Sequence, residues 1–382
     1  MSELPRASRV LILSAAIGEG HDLPARVLRD ALLAADPRTV VEIRDALAEV
    51  GGLLERLGAQ EAPLRNRRLL WLFDLEYRLV FRVAPVRRVV TRVITLLSRR
   101  KIRRLIAEAD PDVIVATYPG ASEVVGRLRQ AGEIAVPVAS AITDLAALNL
   151  WAHPGIDLHL ITHEESTAEV HAIAGASRIV HVRGLTDPRF EQPLDEATAR
   201  TALGLPADGG VVLVSGGGWG IGDIQGAIET ALSAAGVARV VVLAGRSDAL
   251  IAELRRRFAG EQRVLLLGFT DRMHELMAAA DVLVHSTAGL TVLEALIRGC
   301  RPISYGWGVA HVRVNNDAYT RFAIAQVARN RGELRTAIER ALTAPRRPLA
   351  AYGDLPAAAD EVMALVTRGR PHPRMRRPLA SG

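Results

Sequence analysis

Apolar residues gather in short blocks along the chain, each ending in a loop of small or polar residues. Blocks at 10–14, 40–43, 111–117, 136–143, 158–162 and 179–182 predict strands in the first half. Blocks at 211–215, 240–244, 264–267, 282–284 and 302–305 predict strands in the second. Most are runs of Val, Ile, Leu and Ala without alternation, the pattern of strands covered on both faces of a parallel sheet. Helical spacing is found at 23–34, 121–131, 290–297, 320–327, 332–343 and 357–367. Two successive sets of strand–loop–helix units predict an α/β chain of two domains. The run Gly184-Leu185-Thr186-Asp187-Pro188 punctuates them. The first domain is therefore placed at 1–190 and the second at 191–345. A helix within 346–367 crosses back, and 368–382 is a disordered basic tail.

At 382 residues the chain can bury two full cores, and 49% hydrophobic with 24% charged residues is a soluble globular balance. Cys300 stands alone, which excludes a disulfide framework within one chain. The apolar run at 10–17 is too short for a signal peptide with these flanks, and no stretch of about 18 uncharged apolar residues exists. A cytoplasmic protein without a transmembrane helix is expected.

The net charge of +6 is unevenly placed. Residues 64–104 carry 12 Arg and Lys101 against Asp74 and Glu76, and the tail from 368 adds five Arg and no acid. Within 64–104, Val90, Val93, Ile94 and Leu97 share one helical face, while Arg88, Arg92, Arg99 and Arg103 share another. Arg67, Arg68, Trp71, Phe73, Tyr77 and Phe81 lie upstream. A basic amphipathic stretch with aromatics fits an anionic membrane surface, where each cation contributes about 1 kcal/mol. Arg67, Arg68, Trp71, Arg88 and Arg92 are the expected membrane contacts, on the inner face of the cell membrane. A pair of core helices with a solvated Arg face is the plainer alternative. No nucleic-acid partner is expected.

Candidate chemistry sits at strand ends. After the first strand comes Ser14-Ala15-Ala16-Ile17-Gly18-Glu19-Gly20-His21, a loop whose glycines allow close backbone approach. A lone His in such a loop is more often a surface or capping residue, although imidazole, with an ordinary pKa of ~6.5 near working pH, suits a general base. Thr143-Asp144 ends another strand, and Asp144 is placed either to orient His21 or to act as the base itself. A helix cap is the bland alternative for that carboxylate. In the second half, Gly216-Gly217-Gly218-Trp219 follows a strand as a phosphate cradle, and Arg246 follows the next. His285-Ser286-Thr287-Ala288-Gly289-Leu290-Thr291 leads into a helix whose N–H groups and positive end suit a phosphate. Glu294 lies about one turn in, within reach of a sugar diol. No Asp-x-Asp lies in a suitable loop and no ligand cluster has metal spacing, so neither metal nor cofactor is expected.

Gly268-Phe269, a helix, Ala279-Ala280-Asp281, a strand, then Gly289-Leu290-Thr291 and Glu294 resemble, in order, the donor half of family 28 glycosyltransferases. Ser14 to His21, and Thr143-Asp144 with Trp151 and Pro154, resemble the monogalactosyl- and monoglucosyl-diacylglycerol synthase branch, related to the N-acetylglucosaminyltransferase that makes lipid II. The resemblance implies a GT-B fold, with two Rossmann-like domains facing across a cleft. It also implies inverting transfer from a UDP-sugar to a lipid hydroxyl of diacylglycerol type. His21 or Asp144 is then the base. Gly18, Gly20, Gly217, Gly218, Trp219 and Ala288 to Thr291 hold the donor, with Arg246 on its diphosphate. The backbone of Gly268 and Phe269 meets the uracil edge, and Glu294 the ribose hydroxyls. Three departures stand out. Thr186 replaces a proline of the family, and Ser247 an asparagine. Gly306-Trp307-Gly308-Val309-Ala310-His311 replaces a Pro-Gly-Gln-Glu loop, so His311 takes the Gln position and Asn315 or Asn316 that of an Asn on the donor sugar. The identity of that sugar stays open. Transfer to a soluble or polyprenyl acceptor, a UDP-sugar 2-epimerase of the same architecture, and a non-catalytic binding protein are the alternatives; the last leaves both phosphate loops idle.

Overall fold

The computed structural model describes residues 6–15, 19–50, 83–217, 222–287, 289–306 and 310–369. Among them, two six-stranded sheets form, with every strand pairing parallel. The first holds β1 (Arg9–Ser14), β2 (Val40–Asp45), β3 (Val113–Ala116), β4 (Val138–Ile142), β5 (Leu158–Ile161) and β6 (Arg178–His181), in the order β2-β1-β3-β4-β5-β6. The second holds β7 (Gly210–Ser215), β8 (Val237–Leu243), β9 (Val264–Leu267), β10 (Val282–His285), β11 (Arg301–Tyr305) and β12 (Gln326–Ala328), in the order β12-β11-β10-β7-β8-β9. The winding reverses once in each sheet, between β1 and β3 and between β7 and β10. In open sheets of this kind, ligands bind outside the carboxyl ends of the strands at that reversal.

The helices that shape these two crevices are α1 (Glu19–Ala35), α2 (Ala84–Ala109), α3 (Pro119–Gln130), α4 (Ile224–Ser233), α5 (Gly289–Arg298), α6 (Ala310–Phe322) and α7 (Ala358–Gly369). Successive side chains of a strand point to opposite faces, and the first sheet uses both. Val10, Ile12, Val113 and Val115 bury against Leu28 and Leu32 of α1 and Val362 and Val366 of α7. Leu11, Leu13 and Ile114 bury against Ile102, Leu105 and Ile106 of α2 and Val125 and Leu128 of α3.

Some elements differ from those the sequence predicts. Helix α1 begins at Glu19, so Gly20 and His21 lie on its first turn rather than in a loop. Pro24 is tolerated there because the Gly20 carbonyl, deprived of an N–H four residues on, accepts from Thr143 Oγ1 at 3.4 Å. The expected exit loop at 306–316 becomes helical at Ala310, which places Asn315 and Asn316 on α6. The helix expected at 320–327 stops at Phe322, where Ala323 turns to a φ of 54°, and Gln326–Ala328 pairs with β11 as an edge strand. A short apolar run carries no periodicity that separates these outcomes.

Helix α2 rearranges its predicted faces. Thr91, Ser98, Ile102, Leu105 and Ile106 face inward, with Ser98 Oγ donating to the Ile94 carbonyl at 2.7 Å. Val90 and Ile94 are partly covered, whereas Val93 and Leu97 of the expected apolar face are exposed. Arg99 pairs with Glu133 at 2.6 Å. Arg67, Arg68, Trp71, Gly18, Gly218, Trp219, Ala288 and the tail beyond 369 lie outside the described residues.

Candidate active site

His21 sits at the reversal of the first sheet. Its ring lies between Tyr118, with centroids 5.3 Å apart, and Trp151 at 5.8 Å. Nδ1 is 3.2 Å from the Thr117 carbonyl, just beyond β3. A carbonyl only accepts, so Nδ1 carries the proton and Nε2 holds the lone pair. Burial lowers the His21 pKa below its ordinary value, against the opposing charge of Asp144. The ring is therefore neutral at neutral pH, with a basic nitrogen of fixed tautomer.

Asp144, just past β4, reaches the second domain. Its Oδ1 accepts the N–H of Gly289 at a long 3.5 Å. Leu145 beside it is fully buried against Val292 of α5 and Tyr319 of α6, which pins this corner of the first domain into the second. His163, just past β5, donates from Nε2 to the Gly289 carbonyl at 3.3 Å. Burial pushes the His163 pKa down to about 4. Gly289 is thus gripped at its N–H and its C=O by two side chains of the other domain. A Cβ on Gly289 would lie 2.3 Å from the Thr143 carbonyl, so only glycine lets the domains approach this closely.

Gly216 and Gly217 after β7 and the N-terminus of α5 after β10 follow paired strands and so lie side by side. Gly217 takes a φ of +70° against Thr287. Two residues to which the sequence reading gives no role brace Thr287 at the start of this turn. His285, fully buried, accepts the Thr287 N–H on Nδ1 at 3.2 Å, and the Tyr319 hydroxyl donates to the Thr287 carbonyl at 3.1 Å. Thr291 is half-buried on the first turn of α5.

The remaining predicted residues have the following surroundings. The Arg246 guanidinium lies 3.8 Å from the centroid of the exposed Phe269 ring, next to Gly268. Glu294 is buried, and its Oε1 accepts from Thr186 Oγ1 at 2.5 Å. Asn315 is buried in α6, and Asn316 accepts from Ser304 of β11 at 2.5 Å. The side chain of His311 lies outside the description. His163 had one sequence signal, its place just past a strand; Tyr319 had none.

Two doubly wound domains joined at their crevices define a GT-B fold. The model of the family described as monogalactosyldiacylglycerol (MGDG) synthase matches residues 70–185. The chain is 27% identical over 207 residues to a processive diacylglycerol beta-glucosyltransferase of Staphylococcus aureus (strain Newman), which covers 54% of this chain and 52% of that protein. The chain therefore spans about half the length of the relatives it matches. Arabidopsis thaliana UGT89C1, complexed with UDP-L-rhamnose, superposes with a TM-score of 0.59 over 95% of this chain and 99% of its own, at 13% identity. Acinetobacter baumannii MurG gives 0.55 over 94% and 99%, at 14% identity. At such identities the structural likeness shows the fold. The diacylglycerol glycosyltransferase resemblance carried by the motifs is found again in the family model and in the sequence relatives.

Proposed function

We propose that the protein transfers a sugar from a UDP-sugar to a lipid hydroxyl of diacylglycerol type, with inversion at the anomeric carbon. The observation that supports this most is the meeting at Gly289. There Asp144, which adds to the electrostatic surroundings of His21, meets the helix N-terminus of the second domain, with its Oδ1 3.5 Å from the Gly289 N–H. The acceptor hydroxyl oxygen attacks the anomeric carbon as His21 Nε2 takes its proton, and the bond to the UDP oxygen breaks. The N-terminal amides of α5 and those of the glycine loop after β7 meet the charge developing on the leaving diphosphate. Glu294 accepts from the ribose hydroxyls, and the stacked Arg246–Phe269 pair lies at the uracil end. The family match at 70–185 and the S. aureus relative named for a diacylglycerol acceptor support the lipid. The test is purified protein with UDP-glucose, UDP-galactose and UDP-N-acetylglucosamine, with and without vesicles containing diacylglycerol. UDP release that requires the lipid and equals the glycolipid formed is expected. UDP release independent of lipid would reject the lipid acceptor.

The outer face of α2 is the membrane contact in this proposal. Val89 is 62% exposed and Leu96 69%, with Val93 and Leu97 beside them, while Thr91 and Ser98 of the same helix face inward. Exposed aliphatic side chains on a helix that buries hydroxyls call for an apolar neighbour. A groove of about 610 Å³ runs along this face, lined by Val89, Val93 and Leu96 with Arg92, Arg99 and Arg127. Among the described residues no helix is long and apolar enough to cross a membrane. Two aliphatic side chains transferred from water contribute about 1.5–3 kcal/mol each. The double variant Val89→Asp/Leu96→Asp is therefore expected to bind anionic vesicles about 10²–10⁴-fold more weakly in a flotation assay, with UDP affinity unchanged. Unaltered flotation would rule out this face as the contact.

A further inference from the structure

We infer that Thr186 is the positioning residue that aims Glu294 at the ribose diol, and thereby sets this chain's preference for a ribonucleotide over a 2′-deoxyribonucleotide donor. The inference rests on the proposal above, in which Glu294 meets the ribose.

Thr186 lies in the connector between the two sheets, is fully buried, and donates its only hydroxyl proton to Glu294 Oε1 at 2.5 Å. That bond occupies one carboxylate oxygen and leaves Oε2 for a sugar hydroxyl. The connector cannot drift from α5. Arg298, one turn beyond Glu294, donates to the Arg189 carbonyl at 2.6 Å and to the Gln192 carbonyl at 2.8 Å. Asp187 opens the next turn by accepting the Arg189 N–H at 2.9 Å, which fixes the backbone on the C-terminal side of Thr186. The β-branched Thr186 side chain has few rotamers, so the hydroxyl is held where the carboxylate needs it. Burial pushes the Glu294 pKa up to about 7, with Asp187 adding to the rise and the Thr186 hydrogen bond opposing it. Without that donor the carboxyl would lose both its orientation and the partner that favours its charged form. The hydroxyl is also a sequence departure, since the pattern this chain resembles carries proline there, which has no hydrogen-bond donor.

The test is calorimetric titration of UDP and 2′-deoxy-UDP into the full chain and into Thr186→Val, Thr186→Ser and Glu294→Gln. A hydrogen-bonding group left without its partner on binding costs enough for about 5–150-fold discrimination in the native protein. Thr186→Val is expected to bring the ratio of the two affinities close to one while leaving 2′-deoxy-UDP binding within about twofold; Thr186→Ser, which keeps the hydroxyl, is expected to restore it. If Thr186 only packs the connector, Thr186→Val weakens both nucleotides alike and the ratio persists, which overturns the inference. A native protein that binds both nucleotides equally, with Glu294→Gln changing neither, overturns the ribose assignment of Glu294 instead.

Discussion

His21→Ala is expected to lower kcat by about 10²–10⁴, the range a positioned general base contributes, while UDP affinity stays within about threefold. The expectation follows from the hydrogen bond of Nδ1 to the Thr117 carbonyl. It fixes the tautomer, so the basic Nε2 is present in every neutral molecule. The pH profile carries the same signature. In the proposed mechanism catalysis needs the neutral ring, and burial lowers the His21 pKa below 6.5. At saturating UDP-sugar, kcat is therefore expected to be complete at neutral pH and to fall on acidification only below about 6.5. Steady-state kinetics from pH 4.5 to 8.5 check both points. If Asp144→Asn loses 10²–10⁴-fold while His21→Ala keeps most of its activity, the carboxylate is the base, roughly as large an effect with the roles exchanged.

Gly289→Ala is expected to lower kcat/KM by about 10²-fold with little loss of fold stability. Alanine is the better helix former by about 1 kcal/mol, so α5 itself does not suffer. The added methyl group, however, would lie 2.3 Å from the Thr143 carbonyl. The domains must part by about an ångström or more, which carries the base side of the cleft away from the donor side. Misplacement of that size costs on the order of 10²-fold. Kinetics and UDP titration separate the two effects. Unchanged kcat/KM would mean that Gly289 is not where the domains meet during turnover.

Most of the strands were legible because each is a compact apolar run bounded by small residues, as in β1, β3 and β7. The base and phosphate candidates were legible too, because each follows a strand: His21 after β1, Asp144 after β4, Gly217 after β7 and Gly289 after β10. What was not legible is what depends on contacts across the chain. Glu294 reads as a ribose ligand by its place on α5, yet its hydrogen bond to Thr186, 108 residues away in sequence, follows from the packing of the connector. Arg246 follows a strand as a diphosphate ligand would, and its stack on the Phe269 ring, which follows another strand, comes from the packing of two loops. Leu145 is an ordinary apolar residue in sequence, and only the docking of two domains makes it the plug that holds Asp144 in place. In α2 the periodicity marked two faces, but covering by α3 chose the Thr91–Ser98 side as the inner one.

In the proposed reaction, direct displacement across the Gly289 contact would fix the stereochemistry of the product, so the anomeric configuration of the sugar is the measurement to make. With an α-linked UDP-sugar and diacylglycerol vesicles, the proton NMR spectrum of the purified glycolipid is expected to show a β linkage only. An α linkage, or no glycolipid from any of the three donors, would contradict a base-assisted, inverting transfer at this site.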